Sequence, residues 1–83
     1  MKHILILDDI PFGRRVMVAR IARGWTRSEL ATYATEALRA YYDDEYLRVT
    51  PQNISYFEND LGIRPDRKQA ILKVLGMEDE KDL

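Results

Sequence analysis

The segment Thr26–Glu29 constrains the fold more than any other part of the sequence, because it sets where a long helix begins. A threonine followed three residues later by a glutamate is a capping box, in which each side chain bonds the backbone N–H of the other residue. Apolar residues then recur at helical spacing, and nothing breaks the helix before about Tyr42 or Asp43. The sequence therefore predicts a helix of about four turns. Its apolar stripe comprises Leu30, Ala31, Ala34, Ala37 and Leu38.

Length and composition limit the class of protein. The chain has 83 residues and no cysteine, so we expect one small domain over residues 1–83, without a disulfide framework or a thiolate metal site. Its longest apolar run, Ile4–Leu7, is too short for a signal peptide or a membrane span, which predicts a cytoplasmic protein with no membrane partner.

Catalytic chemistry finds little support in the sequence. His3 is the only histidine, and the chain has no Ser-His-Asp set, no glycine-rich phosphate loop and no histidine-based metal spacing. The carboxylate clusters Asp8–Asp9 and Asp43–Glu45 consist of adjacent residues, whose side chains point in different directions. We therefore expect no enzyme activity, no cofactor and no metal.

Residues 1–9 predict a short β-strand, because a run of branched apolar residues ends at two aspartates. A lone strand leaves backbone N–H and C=O groups unpaired, so it needs a partner. Two partners are open: a second strand such as Tyr46–Val49, or the same strand of a second subunit.

A first helix follows a turn at Ile10–Gly13, runs to about Arg23 and ends at Gly24. Trp25 is expected to fill the core beside the next turn. This helix has more apolar residues than one buried face requires, because it also carries Met17, Val18 and Ile21. We expect them to meet the N-terminal strand or the end of the long helix, and a dimer contact is the alternative.

A last helix begins near Pro65 or Asp66 and ends at Gly76. Its inward residues are Ala70, Ile71, Val74 and Leu75, and Met77 closes the core. Residues 78–83 are charged and are expected to fray. The predicted fold is mainly α, with four to five helices, a helical core over residues 12–77 and a short N-terminal β-strand.

The segment Thr50–Asp60 predicts a short helix with two unlike faces. Thr50 suits the N-cap and Pro51 the first helical position, while Ile54, Phe57 and Leu61 fall on the inner stripe. The outer face carries Gln52, Asn53, Ser55, Tyr56 and Asn59. Amides and a tyrosine can read base edges, which indicates a DNA-recognition helix. The alternative is an exposed polar helix with a half-buried tyrosine.

Charge is divided unevenly along the chain. Residues 1–40 carry seven Lys/Arg against four Asp/Glu, and residues 41–83 carry six against ten. A basic half could face phosphates while the acidic half stays away from them. The formal net charge of −1 predicts modest, strongly salt-dependent non-specific affinity for nucleic acid.

Three stretches together resemble the lambda repressor/Cro-type (XRE) helix-turn-helix family, over roughly residues 12–77. In that family an arginine precedes, by ten residues, the leucine of a Thr/Ser-Gln-x-Glu-Leu-Ala segment. Those places are filled here by Arg20, Thr26, Glu29, Leu30 and Ala31. Val49–Asn59 looks like the recognition helix, with its Ile-x-x-hydrophobic-Glu ending, and Ile63–Gly76 is similar to the helix that follows it.

The resemblance implies a lambda-repressor-like fold with a partly buried ion pair between Arg20 and Glu58. It also implies base contacts from Gln52 and Tyr56. One departure is clear, because the family joins its second helix to the recognition helix by only a few residues. Here an insert, Thr35–Arg48, separates the two, and the usual glycine of the turn is missing. We expect a helical extension followed by a loop or strand, which packs over the core or contacts a protein.

Candidate DNA contacts follow from these positions. Base contacts are expected from Thr50, Gln52, Asn53 and Tyr56. Phosphate contacts are expected from Arg27 at a helix N-terminus, aided by Thr26 and Ser28, with Arg23 and Arg64 as looser candidates. For each of the looser candidates the alternative is a solvated surface arginine.

Taken together, the sequence predicts a double-stranded DNA-binding regulator, either a repressor or an antitoxin-like protein. It would act as a homodimer joined by the N-terminal strand or by the insert Thr35–Arg48, which is aromatic because it carries Tyr41, Tyr42 and Tyr46. The alternative is a protein-interaction module that keeps the helix-turn-helix shape and binds a toxin or another regulator through its acidic, aromatic half.

Overall fold

A computed structural model describes residues 10–78, which form four α-helices. They are α1, Phe12–Ala22; α2, Arg27–Tyr42; α3, Pro51–Glu58; and α4, Pro65–Leu75. The described part of the chain contains no β-strand and is mainly helical, as predicted. The predicted strand at residues 1–9 and most of the predicted frayed tail lie outside the described residues.

The long helix α2 begins and ends close to its predicted bounds. The Glu29 N–H donates to Thr26 Oγ1 (3.0 Å), and the Thr26 N–H donates to Glu29 Oε1 (2.8 Å), which completes the capping box. The helix runs for 16 residues and ends at Asp43, whose left-handed backbone (φ 53°) stops it. Local sequence signals were therefore sufficient to place this helix.

The core lies where α2 packs against α4 and α3, while α1 packs chiefly on α3. The largest fully buried side chains are Leu30, Leu38, Ile54, Ile71, Leu72 and Val16. Two residues that the sequence predicted to be buried are less buried than expected. Leu61 lies exposed beyond the end of α3, and Trp25 is only partly buried at the edge of the core, with its ring 4.7 Å from that of Tyr33.

The loop between α2 and α3 is fastened to its neighbours by hydrogen bonds. The Thr35 hydroxyl both donates to the Val49 carbonyl (3.0 Å) and accepts from the Val49 N–H (2.9 Å). Arg39 Nε donates to the Leu47 carbonyl (2.6 Å), and Val49 is buried in the core. These bonds satisfy the backbone groups that a strand partner would have used, so the alternative of a strand at Tyr46–Val49 was wrong.

At its first turn, α1 comes into direct backbone contact with the end of α3. A β-carbon added to Gly13 would lie 2.5 Å from the Glu58 carbonyl oxygen and 2.6 Å from that of Phe57. The Gly13 N–H donates to Asp60 Oδ1 (2.9 Å), so a distant carboxylate caps a helix whose own N-cap residue, Pro11, supplies no side-chain bond. The turn predicted to extend to residue 13 therefore ends earlier, because Asp60 permits α1 to begin at Phe12.

Two apolar side chains of α1, Val18 and Ile21, remain exposed. The end of α2 does not cover them, so that part of the prediction was wrong. The predicted contact with residues 1–9 falls outside the described residues. Among residues 10–78, no helix has the length and apolar character needed to cross a membrane.

Replacing Gly13 by Ala should destabilise the fold by about 1–3 kcal/mol or more, because the added methyl group meets backbone atoms that cannot rotate away. Gly62→Ala is the matched control, since a β-carbon there meets nothing within 4 Å and the backbone is not left-handed. It should be neutral, or stabilising by up to about 1 kcal/mol. Urea unfolding followed by circular dichroism measures both, and equal midpoints for the two variants would contradict the close α1–α3 contact.

Candidate nucleic-acid interface

Gln52 and Tyr56 lie one turn apart on the exposed face of α3, and they are bonded to each other. Gln52 Nε2 donates to the Tyr56 hydroxyl oxygen at 2.7 Å. That bond leaves the tyrosine O–H available as a donor and the Gln52 carbonyl oxygen available as an acceptor. A donor beside an acceptor is the combination that the major-groove edge of adenine complements.

Thr50 and Asn53, the other two predicted base contacts, form the N-cap of α3. The Asn53 N–H donates to Thr50 Oγ1 (3.1 Å), and the Thr50 N–H donates to Asn53 Oδ1 (3.0 Å). A bidentate contact from Asn53 to adenine needs Oδ1 as an acceptor, so the cap and the base would share one oxygen. The sequence held a signal for this role that was missed, since Thr-x-x-Asn has the spacing of a capping box.

The inner face of α3 ends in a cluster of three charges, of which Glu58 and Arg20 are buried and Arg27 is exposed. Arg20 Nε lies 2.6 Å from Glu58 Oε2, and Arg27 Nε lies 3.0 Å from Oε1 of the same carboxylate. The side chain of Glu58 is 1% exposed and that of Arg20 is 11% exposed. The Arg20 guanidinium also donates to the carbonyl of Trp25 (2.9 Å). The structure thus brings together Arg20 and Glu58, and it adds a second cation that the sequence did not indicate.

Arg27 was predicted only as a phosphate contact, and its position combines two roles. Its side chain is 43% exposed, and Nε is committed to Glu58. The two terminal amino groups make no further bond among the described residues, so they are free to donate to a second anion. A guanidinium held at Nε by a buried carboxylate loses little entropy when it binds a phosphate.

Two other predicted phosphate contacts are occupied within the protein. Arg23 Nη2 donates to the Leu75 carbonyl (2.8 Å) and Nη1 to the Ala19 carbonyl (3.1 Å), so Arg23 caps the C-terminal end of α4. The Thr26 hydroxyl caps α2. Ser28 and Arg64 are exposed at the N-terminal ends of α2 and α4.

The start of α4 carries a neutralised pair, Asp66 and Arg67. Partial burial pushes the pKa of Asp66 upward, but hydrogen bonds from Arg67 and the positive charges of Arg67 and Arg64 outweigh it, so the pKa lies below its usual value. The carboxylate is therefore ionised at neutral pH and offsets Arg67. Arg64, at the same helix end, makes no ion pair with a carboxylate within residues 10–78.

The balance of charge in residues 10–78 differs from that of the whole chain. These residues contain 11 Lys/Arg and nine Asp/Glu, so the excess of acid lies outside them. The outer face of α3 is uncharged, because Glu58 is its one ionisable carboxylate and points inward. Within the same residues, no group of three or more His, Cys, Asp or Glu side chains could hold a metal ion.

A scan against protein-family models, a search of curated proteins and a search of solved structures each returned no match for this chain.

Replacing Glu58 by Gln should lower the free energy of unfolding by about 3–5 kcal/mol, because it leaves the buried Arg20 guanidinium without a counter-charge. Asp66→Asn provides a control that removes a carboxylate from a more exposed pair, where a loss of up to about 1 kcal/mol is expected. Urea denaturation at neutral pH compares the two. If Glu58→Gln lowers the free energy of unfolding no more than Asp66→Asn does, the buried ion pair is no more important for stability than the more exposed one.

Proposed function

We propose that this chain is a sequence-specific double-stranded DNA-binding transcriptional regulator, repressor or antitoxin-like, that reads the major groove with α3. The observation that carries the proposal is the exposed, uncharged face of α3, on which Gln52 and Tyr56 present a paired acceptor and donor. A helix that served only solubility would present Lys and Glu there. The inner face of α3 packs on the core and Glu58 is paired there, so the helix is fixed in position while its outer face is available to DNA.

We further propose that the fold is a lambda-repressor-like (XRE-type) helix-turn-helix. Support comes from the order of the four helices and from the Arg20–Glu58 ion pair, which joins the two positions that the resemblance singles out. The departure is the connection between α2 and α3, where a helix-turn-helix has three or four residues and this chain has residues 43–50. Hydrogen bonds from Thr35 and Arg39 hold that longer connection in place, so α3 has a defined position without a tight turn.

In this proposal the protein is cytoplasmic, and two copies acting together place their α3 helices in successive major grooves of a palindromic DNA site. Arg27 and Ser28, at the start of α2, would contact phosphates of the DNA backbone, and Arg64 would supply a further positive charge. In this proposal Arg23 and Thr26 contribute indirectly, because their side chains already cap α4 and α2.

Purified protein should bind short duplex DNA in low salt and select a particular palindrome from a random pool. Gln52→Ala and Tyr56→Ala should each reduce discrimination against the wrong base by about 1–3 kcal/mol while the fold survives, since both side chains are exposed. Gln69→Ala removes a matched exposed amide from α4 and should change nothing. Failure of the selection to enrich any sequence would refute specific recognition.

A second candidate function is a protein-interaction module, and the surface around the end of α2 favours it. Tyr41, Tyr42 and Tyr46 are exposed there, Tyr46 to 85%, next to the acidic run Asp43–Glu45. Exposed aromatic residues are enriched at protein interfaces. This surface would bind a toxin, another regulator or a second copy of the chain, and it leaves the outer face of α3 free.

Light scattering at micromolar concentration tests whether the aromatic surface joins two copies. A homodimer should have twice the 9.7 kDa mass of one chain, and replacing Tyr41 and Tyr46 together by Ser should return it to the monomer. Val18→Ser tests the exposed face of α1 in the same way. A monomer in the wild type would remove the two-half-site arrangement, although single-site binding could still be measured.

A further inference from the structure

An open groove runs between α2 and the segment that leads into α3, beside the proposed reading face. It has a volume of about 410 Å³. Its lining is half apolar and half polar, its two cations are Arg39 and Arg48, and Glu36 is its one acidic residue. The donors that remain for a ligand are the hydroxyls of Ser28 and Thr50 and the guanidinium groups of Arg39 and Arg48, because the hydroxyls of Thr32 and Thr35 already donate to the carbonyls of Ser28 and Val49.

Internal hydrogen bonds make the walls of this groove rigid. Thr35 is tied to both polar groups of the Val49 backbone, and Arg39 is tied through Nε to the Leu47 carbonyl. The terminal amino groups of Arg39 make no other bond among the described residues, so they are available to an anion. At Arg48 the backbone carbonyl accepts from Arg67 Nε (3.3 Å), while the side chain itself is exposed.

The length and openness of the groove suit a strand of nucleic acid, with several phosphates, better than a single small anion. From Ser28 to Arg39 the helix rises about 16 Å, whereas B-DNA places one phosphate every ~3.4 Å of axis on each strand. Two guanidinium groups against one carboxylate leave the groove net positive. The N-terminal end of α3, which begins at Pro51 on the groove wall, adds a partial positive charge.

We propose that this groove binds the sugar-phosphate backbone of the DNA whose bases α3 reads, with Arg48 as its main charged contact. The inference rests on the proposed function and deepens it. The connection between α2 and α3, residues 43–50, then has a role in the DNA interface, because it supplies Arg48 and shapes one wall, in addition to joining the two helices. Phosphate contacts of this kind position the protein and carry no sequence information themselves.

Arg48→Gln tests the proposal, because it removes one charge from an exposed side chain and leaves the backbone bond to Arg67 intact. Binding to short duplex DNA is measured at several salt concentrations. The variant should bind all duplex sequences more weakly and by a similar factor, and the slope of log K against log salt should fall in magnitude by about 0.9. Arg48→Lys should restore the slope.

Lys73→Gln is the matched control, since Lys73 lies in α4 on a different groove, with Tyr41 and Tyr42. It removes the same charge and should leave the slope unchanged. An equal change of slope in both variants would indicate a general effect of net charge and would overturn the proposal. So would displacement of the duplex by inorganic phosphate beyond the effect of chloride at equal ionic strength, because the groove would then be a small-anion site.

Failure of the groove proposal and failure of the proposed function give different results. If the wild type binds no duplex even in low salt, both are wrong. If the wild type binds and Gln52→Ala loses sequence preference while Arg48→Gln keeps the wild-type slope, the DNA-binding function stands and the groove proposal is overturned.

Discussion

The carboxylate of Glu58 is the point at which three helices meet. It accepts hydrogen bonds from Arg20 in α1 and from Arg27 in α2, and it belongs to α3 itself. A buried carboxylate is costly unless its charge and its oxygen atoms are satisfied. Any rotation of α3 that withdrew Glu58 would leave the Arg20 guanidinium buried without a counter-charge, so the cluster determines which face of α3 points outward.

The same orientation is enforced at both ends of α3. At its C-terminal end, Gly13 lets the backbone of α1 approach the carbonyl groups of Phe57 and Glu58, and Asp60 returns a hydrogen bond to Gly13. At its N-terminal end, Thr35 holds Val49 just before the cap. A short helix of eight residues is not stable alone in water. Its rigidity, on which any reading of base edges depends, therefore comes from these tertiary contacts.

Much of the candidate interface could be predicted because it depends on which residues share a helix face. Gln52 and Tyr56 are four residues apart, so any helix through them places them side by side. The second bond to Glu58 could not be predicted, because Arg27 and Glu58 are separated by 31 residues and by the insert. The hydrogen bond from Arg23 to the end of α4 spans 52 residues and was missed for the same reason. Both arginines looked like surface cations when only their neighbours in the sequence were considered.

The sequence by itself determined most of the helix boundaries, and the start of α1 at Phe12 is the exception, because Asp60 caps it from a distance. Capping residues such as Thr26 and Thr50, and a left-handed glycine such as Gly76, act on backbone groups within a few residues of themselves. It also determined which residues are apolar enough to form a core. Only the tertiary structure decided that Arg23 and Arg27 have partners within the protein and where the insert lies. Those outcomes depend on distances between helices, and such distances are set by packing of the whole domain rather than by local propensity.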